Sequence, residues 1–252
     1  MKAFSLEGRK ALVTGSSQGI GLAIAQGVHE AGAKVICHGL AAGPSALPED
    51  MAYLFGDLCE EGAAARLIEQ AVCLTTGLDT LVCNAGGFFD LPFLEMTESH
   101  WDRTMRLNLR ATFFMVQAFA RHRASVGGDG SVVIVTSTNG FQAESDSVAY
   151  DTSKGGLVMM IRSLAVALAP QRIRVNGLAP GLIRTPLTEA WLDSPGHPMR
   201  QHYEKKILLG QVGEAADCAG AVTFLCSPAA SYITGEIIVV DGGLTTSPLG
   251  RL

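Results

Sequence analysis

The stretch Ala11-Leu12-Val13-Thr14-Gly15-Ser16-Ser17-Gln18-Gly19-Ile20-Gly21 carries an apolar, β-type run into three glycines and then into a helical pattern. Glycine permits a tight turn and a close backbone approach. A helix beginning near Ile20 turns free N–H groups and the positive end of its dipole toward a pyrophosphate. A glycine-rich turn is common by itself, but at a first strand-to-helix junction it reads as a dinucleotide fingerprint. It marks Gly15, Ser17, Gln18, Gly19 and Ile20 as cofactor contacts. Outward from this junction the same rhythm repeats. Short apolar runs at 11–14, 34–37, 52–55, 80–83, 132–136, 173–176 and 237–240 alternate with helical patterns at 20–31, 62–75, 98–123, 148–169 and 215–226. Such alternation predicts βαβ units and a parallel sheet. The runs are uniformly apolar, as strands covered on both faces are. One break falls at 40–48, where Pro44 and Pro48 predict a loop or a single turn in place of a crossover helix.

A second pattern concerns chemistry. Tyr150 and Lys154 are four residues apart in Ala149-Tyr150-Asp151-Thr152-Ser153-Lys154, and Ser137 stands upstream in Ser137-Thr138-Asn139-Gly140. Positions i and i+4 share a helix face, so the phenol and the ammonium can look into one cleft. A phenol titrates near 10 in water, roughly. A neighbouring cation lowers that value toward the range useful for general acid–base work. Tyr-x-x-x-Lys alone is more often an ordinary amphipathic helix, and a lone Ser ending a strand is usually a turn residue.

Composition narrows the classes. The chain has 252 residues, commonly one α/β domain at this length, with 19 Lys and Arg against 24 Asp and Glu and a net charge of −5. No basic stretch suits a phosphate backbone, so no nucleic-acid partner is expected. The six cysteines lie singly with no C-x-x-C, like core residues of a reduced protein. Neither they nor the histidines form a metal-ligating pattern, so no metal site is expected. The N-terminal residues carry no apolar signal core, and no uncharged apolar run reaches about 18 residues. These features predict a cytoplasmic protein without a membrane span. No repeat or linker divides the chain.

Taken in order, the motifs resemble the short-chain dehydrogenase/reductase family over nearly the whole length. They are Thr14-Gly-x-x-x-Gly19-Ile20-Gly21, Asn84-Ala85-Gly86, Asn108 in Arg106-Leu107-Asn108-Leu109, the set Ser137, Tyr150 and Lys154, Pro180-Gly181, and Val240-Asp241-Gly242-Gly243. The resemblance implies a single-domain, Rossmann-like, doubly wound parallel sheet of about seven strands flanked by helices. It implies an NAD(P)-dependent oxidoreductase acting on an alcohol or carbonyl. Ser137 and Tyr150 would bond the reacting oxygen, with Tyr150 as general acid/base. Lys154 would bind the nicotinamide ribose and depress the Tyr150 pKa, and the Asn108 main chain would hold a relay water. Asp57 and Leu58 would meet the adenine, though Asp57 reads equally well as a cap of the next helix. Asn84, Ala85 and Gly86 would let the ribose approach the sheet edge. Pro180, Gly181, Ile183 and Thr185 would flank the nicotinamide.

The sequence departs from the family at one point. Gly39 stands where NAD-selecting relatives carry an acid, Leu40 stands at the usual Arg position of NADP sites, and Gln18 replaces a frequent basic residue. Only His38 is left to answer a 2′-phosphate, so NAD(H) is favoured over NADP(H), with His38 and Gly39 at the ribose. The segments that form substrate pockets in relatives supply Phe88, Phe89, Phe141, Gln142, Glu144, Leu187 and Trp191, a mixture suited to a polyol or sugar-like molecule. Residues 186–207 resemble a mobile substrate lid. A homotetramer, or a homodimer, is expected from the family. The alternatives are an NADPH-dependent 3-oxoacyl-thioester reductase and a non-catalytic dinucleotide-binding regulator. The intact Ser137, Tyr150 and Lys154 speak against the regulator.

Overall fold

The computed structural model describes residues 2–41, 43, 47–194 and 196–250. Pro44, in the break after the second strand, and Pro195, in the expected lid, lie outside the described residues. In chain order the elements are β1 (Lys10–Val13), α1 (Gly19–Glu30), β2 (Lys34–Gly39), β3 (Ala52–Phe55), α2 (Ala63–Thr75), β4 (Thr80–Cys83), α3 (Glu98–Thr104) and a π-helical stretch at Met105–Ala111. They continue with α4 (Thr112–Val126), β5 (Gly130–Val135), α5 (Val148–Leu168), β6 (Ile173–Pro180), β7 (Ile183–Arg184), α6 (Glu189–Leu192), α7 (Pro198–Lys206), β8 (Gly213–Glu214), α8 (Ala219–Cys226) and β9 (Ile237–Val240). Seven strands form one parallel sheet in the order β3-β2-β1-β4-β5-β6-β9. The order reverses beside β1 and β4, and this switch point opens a crevice at the carboxyl ends of the strands.

The core forms on both faces because strand side chains alternate. Leu12 joins Ile36, Leu81, Val132 and Ile134 against α2, α4 and α5, while its neighbours Ala11 and Val13 join Val35, Val82 and Val133 against α1 and α8. Burying a single large aliphatic side chain of this kind contributes about 1.5–3 kcal/mol. The strands at the two edges depart from the expectation of full cover. Along β3 and β9 the side chains are half-buried or exposed, because an edge strand has a neighbour on one side alone.

Three further differences follow from tertiary bonding. The helical pattern expected at 98–123 is α3, a π stretch and α4, running on to Val126. Within the π stretch the Asn108 side chain leaves the helix surface to bond Gly87 and Ser153. The pattern at 215–226 opens as a 3-10 turn at Ala215–Cys218, and β7 pairs with β8 in a small ribbon that no sequence signal announced. With its following turn, α5 is apolar enough to cross a membrane by length and composition, at mean hydropathy 1.2. Its Leu157, Ile161 and Ala165 are packed in the core.

Candidate active site

The crevice is built first from backbone. Gly15 and Gly19 take positive φ values of 62° and 58°, in the left-handed region that favours glycine. A Cβ on Gly21 would sit 2.2 Å from the Gly15 carbonyl oxygen and 2.4 Å from Asn84 Nδ2. Asn84 explains the tightness: its Nδ2 donates to the carbonyls of Thr14 (3.1 Å) and Gly15 (2.9 Å). The Thr14 hydroxyl accepts from the N–H groups of Asn84 (3.0 Å) and Ala85 (3.1 Å). The β1 and β4 ends are thus sewn together, and the first turn of α1 starts at Gly19 with no side chain capping it. Free N–H groups in a cradle that a single methyl would fill are what a pyrophosphate requires. The residues present therefore fit a dinucleotide.

At the ribose end the residues differ from expectation. His38 is buried, its Nε2 bonds the Gly56 carbonyl at 3.1 Å, and burial lowers its pKa. Its ring is turned inward and burial disfavours its charged form, which leaves it poorly placed to answer a 2′-phosphate. The Ser16 hydroxyl, which the sequence did not single out, holds this geometry by accepting from His38 N–H (2.9 Å) and donating to the Val13 carbonyl (2.7 Å). A Cβ on Gly39 would lie 2.3 Å from the Tyr53 hydroxyl and 3.1 Å from Ser17 Oγ. Tyr53, also unforeseen, fills the space that an acidic side chain would need, and it donates to the Ala41 carbonyl at 2.8 Å. Asp57 accepts from Cys59 N–H at 2.8 Å. It does not cap α2, whose N-cap is Gly62. Leu58 packs into the core, leaving only its main chain to a ligand.

Toward the other end a cavity of about 190 Å³ gathers Ile20, Gly86, Ser137, Tyr150, Lys154 and Pro180, with Gly181, Ile183 and Thr185 beside them. The sequence thus predicted residues that four different strand ends bring together. Lys154 is buried, with Nζ donating to the Val135 carbonyl (3.3 Å) and lying 5.4 Å from the Tyr150 ring centre. The expected lowering of the phenol pKa is overturned for the protein alone. Burial pushes Tyr150 up to about 12, the Ser137 hydroxyl opposes this, and the carboxylates of Glu144, Asp151 and Asp90 add to it. Burial likewise pushes Lys154 down to about 8. Desolvation leads both shifts because burial strips water from each charged form.

The helix carrying Tyr150 is fixed by Asp90, which the sequence reading missed because no motif marks it. Its carboxylate accepts from the N–H groups of Ala149 (2.8 Å) and Tyr150 (3.2 Å), capping α5 from a distant loop. Asp151 fixes the serine loop, accepting from Asn139 Nδ2 (2.8 Å) and Glu144 N–H (3.0 Å). The Asn108 side chain is spent on structure, donating to Gly87 O and Ser153 Oγ at 3.0 Å each.

A second cavity, about 480 Å³, opens beyond Tyr150 and is walled by Phe88, Glu144, Leu187, Trp191, His197 and Tyr203. Phe88 packs on Tyr150 with ring centres 5.4 Å apart. Three expected wall residues are elsewhere. Phe89 lies under the Arg103 guanidinium, Gln142 lines an outer depression beside Lys206, and Phe141 is half-exposed outside the cavity. His197 and Tyr203 come from the segment after α6, where nothing in the sequence set them apart from surface residues.

Comparison with known proteins agrees with this geometry. Residues 15–245 match the family model described as enoyl-(acyl carrier protein) reductase. Dehydrogenase/reductase SDR family member 4 of Sus scrofa is 40% identical over 94% of this chain and 88% of its own. The 3-oxoacyl-[acyl-carrier-protein] reductase FabG of Aquifex aeolicus is 37% identical over 95% and 98%. A gluconate 5-dehydrogenase from Burkholderia cenocepacia J2315, solved with NADP and tartrate, superposes with a TM-score of 0.87 at 30% identity, covering 98% of each chain. That relative binds NADP, so the sequence argument for NAD(H) gains no support from it. With the glycine cradle, the buried Tyr150–Lys154 pair and these relatives in agreement, the chain belongs to the short-chain dehydrogenase/reductase family and is an NAD(P)-dependent oxidoreductase acting on CH–OH and C=O groups.

Proposed function

We propose that this enzyme interconverts a small, polar secondary alcohol of the polyol type and its ketone, with Tyr150 as the general acid/base. The observation that carries this reading is the single cavity in which Ser137, Tyr150 and Lys154 meet the nicotinamide-flanking residues Pro180 to Thr185. In the oxidation direction the alcohol loses a proton from oxygen and a hydride from carbon, giving the carbonyl. A nicotinamide cofactor held by Pro180, Gly181, Ile183 and Thr185 would supply the acceptor for the hydride and its two electrons. Ser137 holds the reacting oxygen while Tyr150 takes the proton, and in reduction Tyr150 returns it. Lys154, buried and bonded to one carbonyl, has donors to spare for the ribose hydroxyls. Bonds from Lys154 to a bound ribose would restore part of the solvation that burial removes, favour the charged ammonium and draw the Tyr150 pKa down from its value in the protein alone. The Asn108 carbonyl lies in the π stretch, and π turns often mark functional positions; we assign it the relay water. Asp57 and the Leu58 main chain hold the adenine, and Asn84 shapes the ribose pocket.

For the cofactor, charge favours NAD(H), since Gly39, Leu40 and Ala41 bring no cation after β2 and His38 is turned inward. Residues 186–207, with α6 and α7, act as the lid over one catalytic domain. A homotetramer is supported by the exposed Phe113, Phe114, Met159 and Val166 on α4 and α5 and by Tyr232 and Val239 near the β9 edge. The free cysteines suit a cytoplasmic location. The relative named as a 3-oxoacyl reductase supports the rival reading. Steady-state rates with NADH and NADPH on small hydroxyketones and on a 3-oxoacyl thioester test it. The proposal expects the hydroxyketones to have the higher kcat/KM, and a thioester preferred by more than tenfold would replace it.

A further inference from the structure

Among the described residues, the second cavity is lined by a single carboxylate, Glu144, and by no Lys or Arg. Around it stand Trp191, His197 and Tyr203, with ring centres 5.8 Å (Trp191–His197) and 6.1 Å (Trp191–Tyr203) apart, and Phe88 closes the side nearest Tyr150. Glu144 is held in place. Its N–H is bonded to Asp151, and its Oε1 accepts from the Tyr203 hydroxyl. That bond ties the serine loop to α7. It occupies one of several lone pairs on the carboxylate, so acceptor capacity remains. Glu144 is exposed, and it walls both this cavity, together with Tyr150, and the outer depression that Lys206 also lines.

Resting on the reading of this cleft as the alcohol/ketone site, the geometry points to Glu144 as a charge filter: the substrate is not an anion, and its far end is a hydrogen-bond donor or a positive group. Aromatic faces attract a cation, a carboxylate accepts from hydroxyl or ammonium donors, and an incoming carboxylate would meet like charge with no partner. Sugar acids, the substrate type by which several solved relatives are named, are therefore excluded here, while neutral polyols and amino alcohols or their ketones are admitted.

The test uses three probe ketones of matched size, acetophenones bearing a trimethylammonium, a tert-butyl or a carboxylate group at the para position. They are reduced by the whole enzyme and by its Glu144→Gln and Tyr203→Phe variants. The wild type is expected to rank kcat/KM as cation above neutral above anion. Glu144→Gln should shrink the cation-to-anion ratio by about tenfold or more, as the loss of one charge a few ångströms away dictates. Tyr203→Phe, which removes the bond but keeps the charge, should preserve the ranking. An anion-first ranking, or a ratio indifferent to Glu144→Gln, overturns the filter. So does a Tyr203→Phe effect equal to that of Glu144→Gln, which would make Glu144 a lid tether. The alcohol/ketone reading is judged separately by the rates on small hydroxyketones, and it fails if neither those nor these probes are turned over. The same compounds titrated into enzyme with NADH, followed by nicotinamide fluorescence, still read the filter, and equal affinities for cation and anion overturn it.

Discussion

The two ends of the cleft are made of different material. At the cofactor end the walls are backbone: Gly15 and Gly21 leave no room for side chains, Gly19 takes a positive φ that side chains rarely adopt, and Asn84 and Thr14 are consumed in fixing main-chain carbonyls and N–H groups. At the substrate end the walls are side chains on separate segments, Phe88 after β4, Glu144 before α5, and Trp191 and Tyr203 on α6 and α7. A backbone site tolerates almost no substitution and serves one ligand type. A side-chain site can change its ligand by exchanging single residues. Hence the family is fixed at one end of the molecule and the specificity at the other.

The sharpest way to break this contrast is at Gly21. Gly21→Ala places a methyl 2.2 Å from a carbonyl oxygen, and we expect NADH affinity to fall about 100-fold with a destabilisation of about 3 kcal/mol. Fluorescence titration and thermal unfolding read both. Wild-type affinity in this variant would deny that backbone closeness makes the site.

Lys154→Met tests the buried pair. The folded pKa of Lys154, about 8, lies below the ordinary 10.5, so between these values the unfolded chain binds the extra proton. Stability of the cofactor-free protein should therefore rise from pH 8 to 10.5, by up to about 3 kcal/mol. Tyr150, pushed up to about 12 from 10, keeps its proton when the unfolded chain has lost it, so its contribution falls above pH 10. Urea unfolding across this range should show the rise in the wild type and not in Lys154→Met.

A smaller effect is expected at the boundary of the two materials. Gly39→Asp should weaken NADPH binding by about tenfold through charge. It should also cost stability, because its Cβ meets the Tyr53 hydroxyl at 2.3 Å; adding Tyr53→Ala should return that stability. Smallest of all, Phe141→Ala should leave kcat/KM within about twofold and stability within about 0.5 kcal/mol, since the ring is half-exposed and outside the cavity.

How much could be read in advance follows the same division. The apolar runs disclosed the sheet and the glycines disclosed the cradle, because backbone requirements leave residue-type signatures in consecutive positions. Ser137, Tyr150 and Lys154 were legible because a motif spaces them. Asp90 and Tyr53 were not, since each acts on a segment far away in the chain through a contact that only the fold creates. His38 is the one group the sequence leaves to answer a 2′-phosphate, and the sequence could not show that its neighbours turn it inward. The Tyr150–Lys154 spacing gave the pair but not the cost of burying it, because spacing carries no information about lost water, and burial pushes the phenol up in the protein alone.

The most direct test of the central claim removes one oxygen atom. Tyr150→Phe keeps the ring packed on Phe88 and leaves the glycine cradle untouched, so paired readouts of turnover and NADH affinity separate the two ends of the cleft. We predict that kcat falls by about 10³-fold or more while the NADH dissociation constant stays within about threefold. Turnover surviving at wild-type level, or cofactor binding lost together with it, would contradict the account.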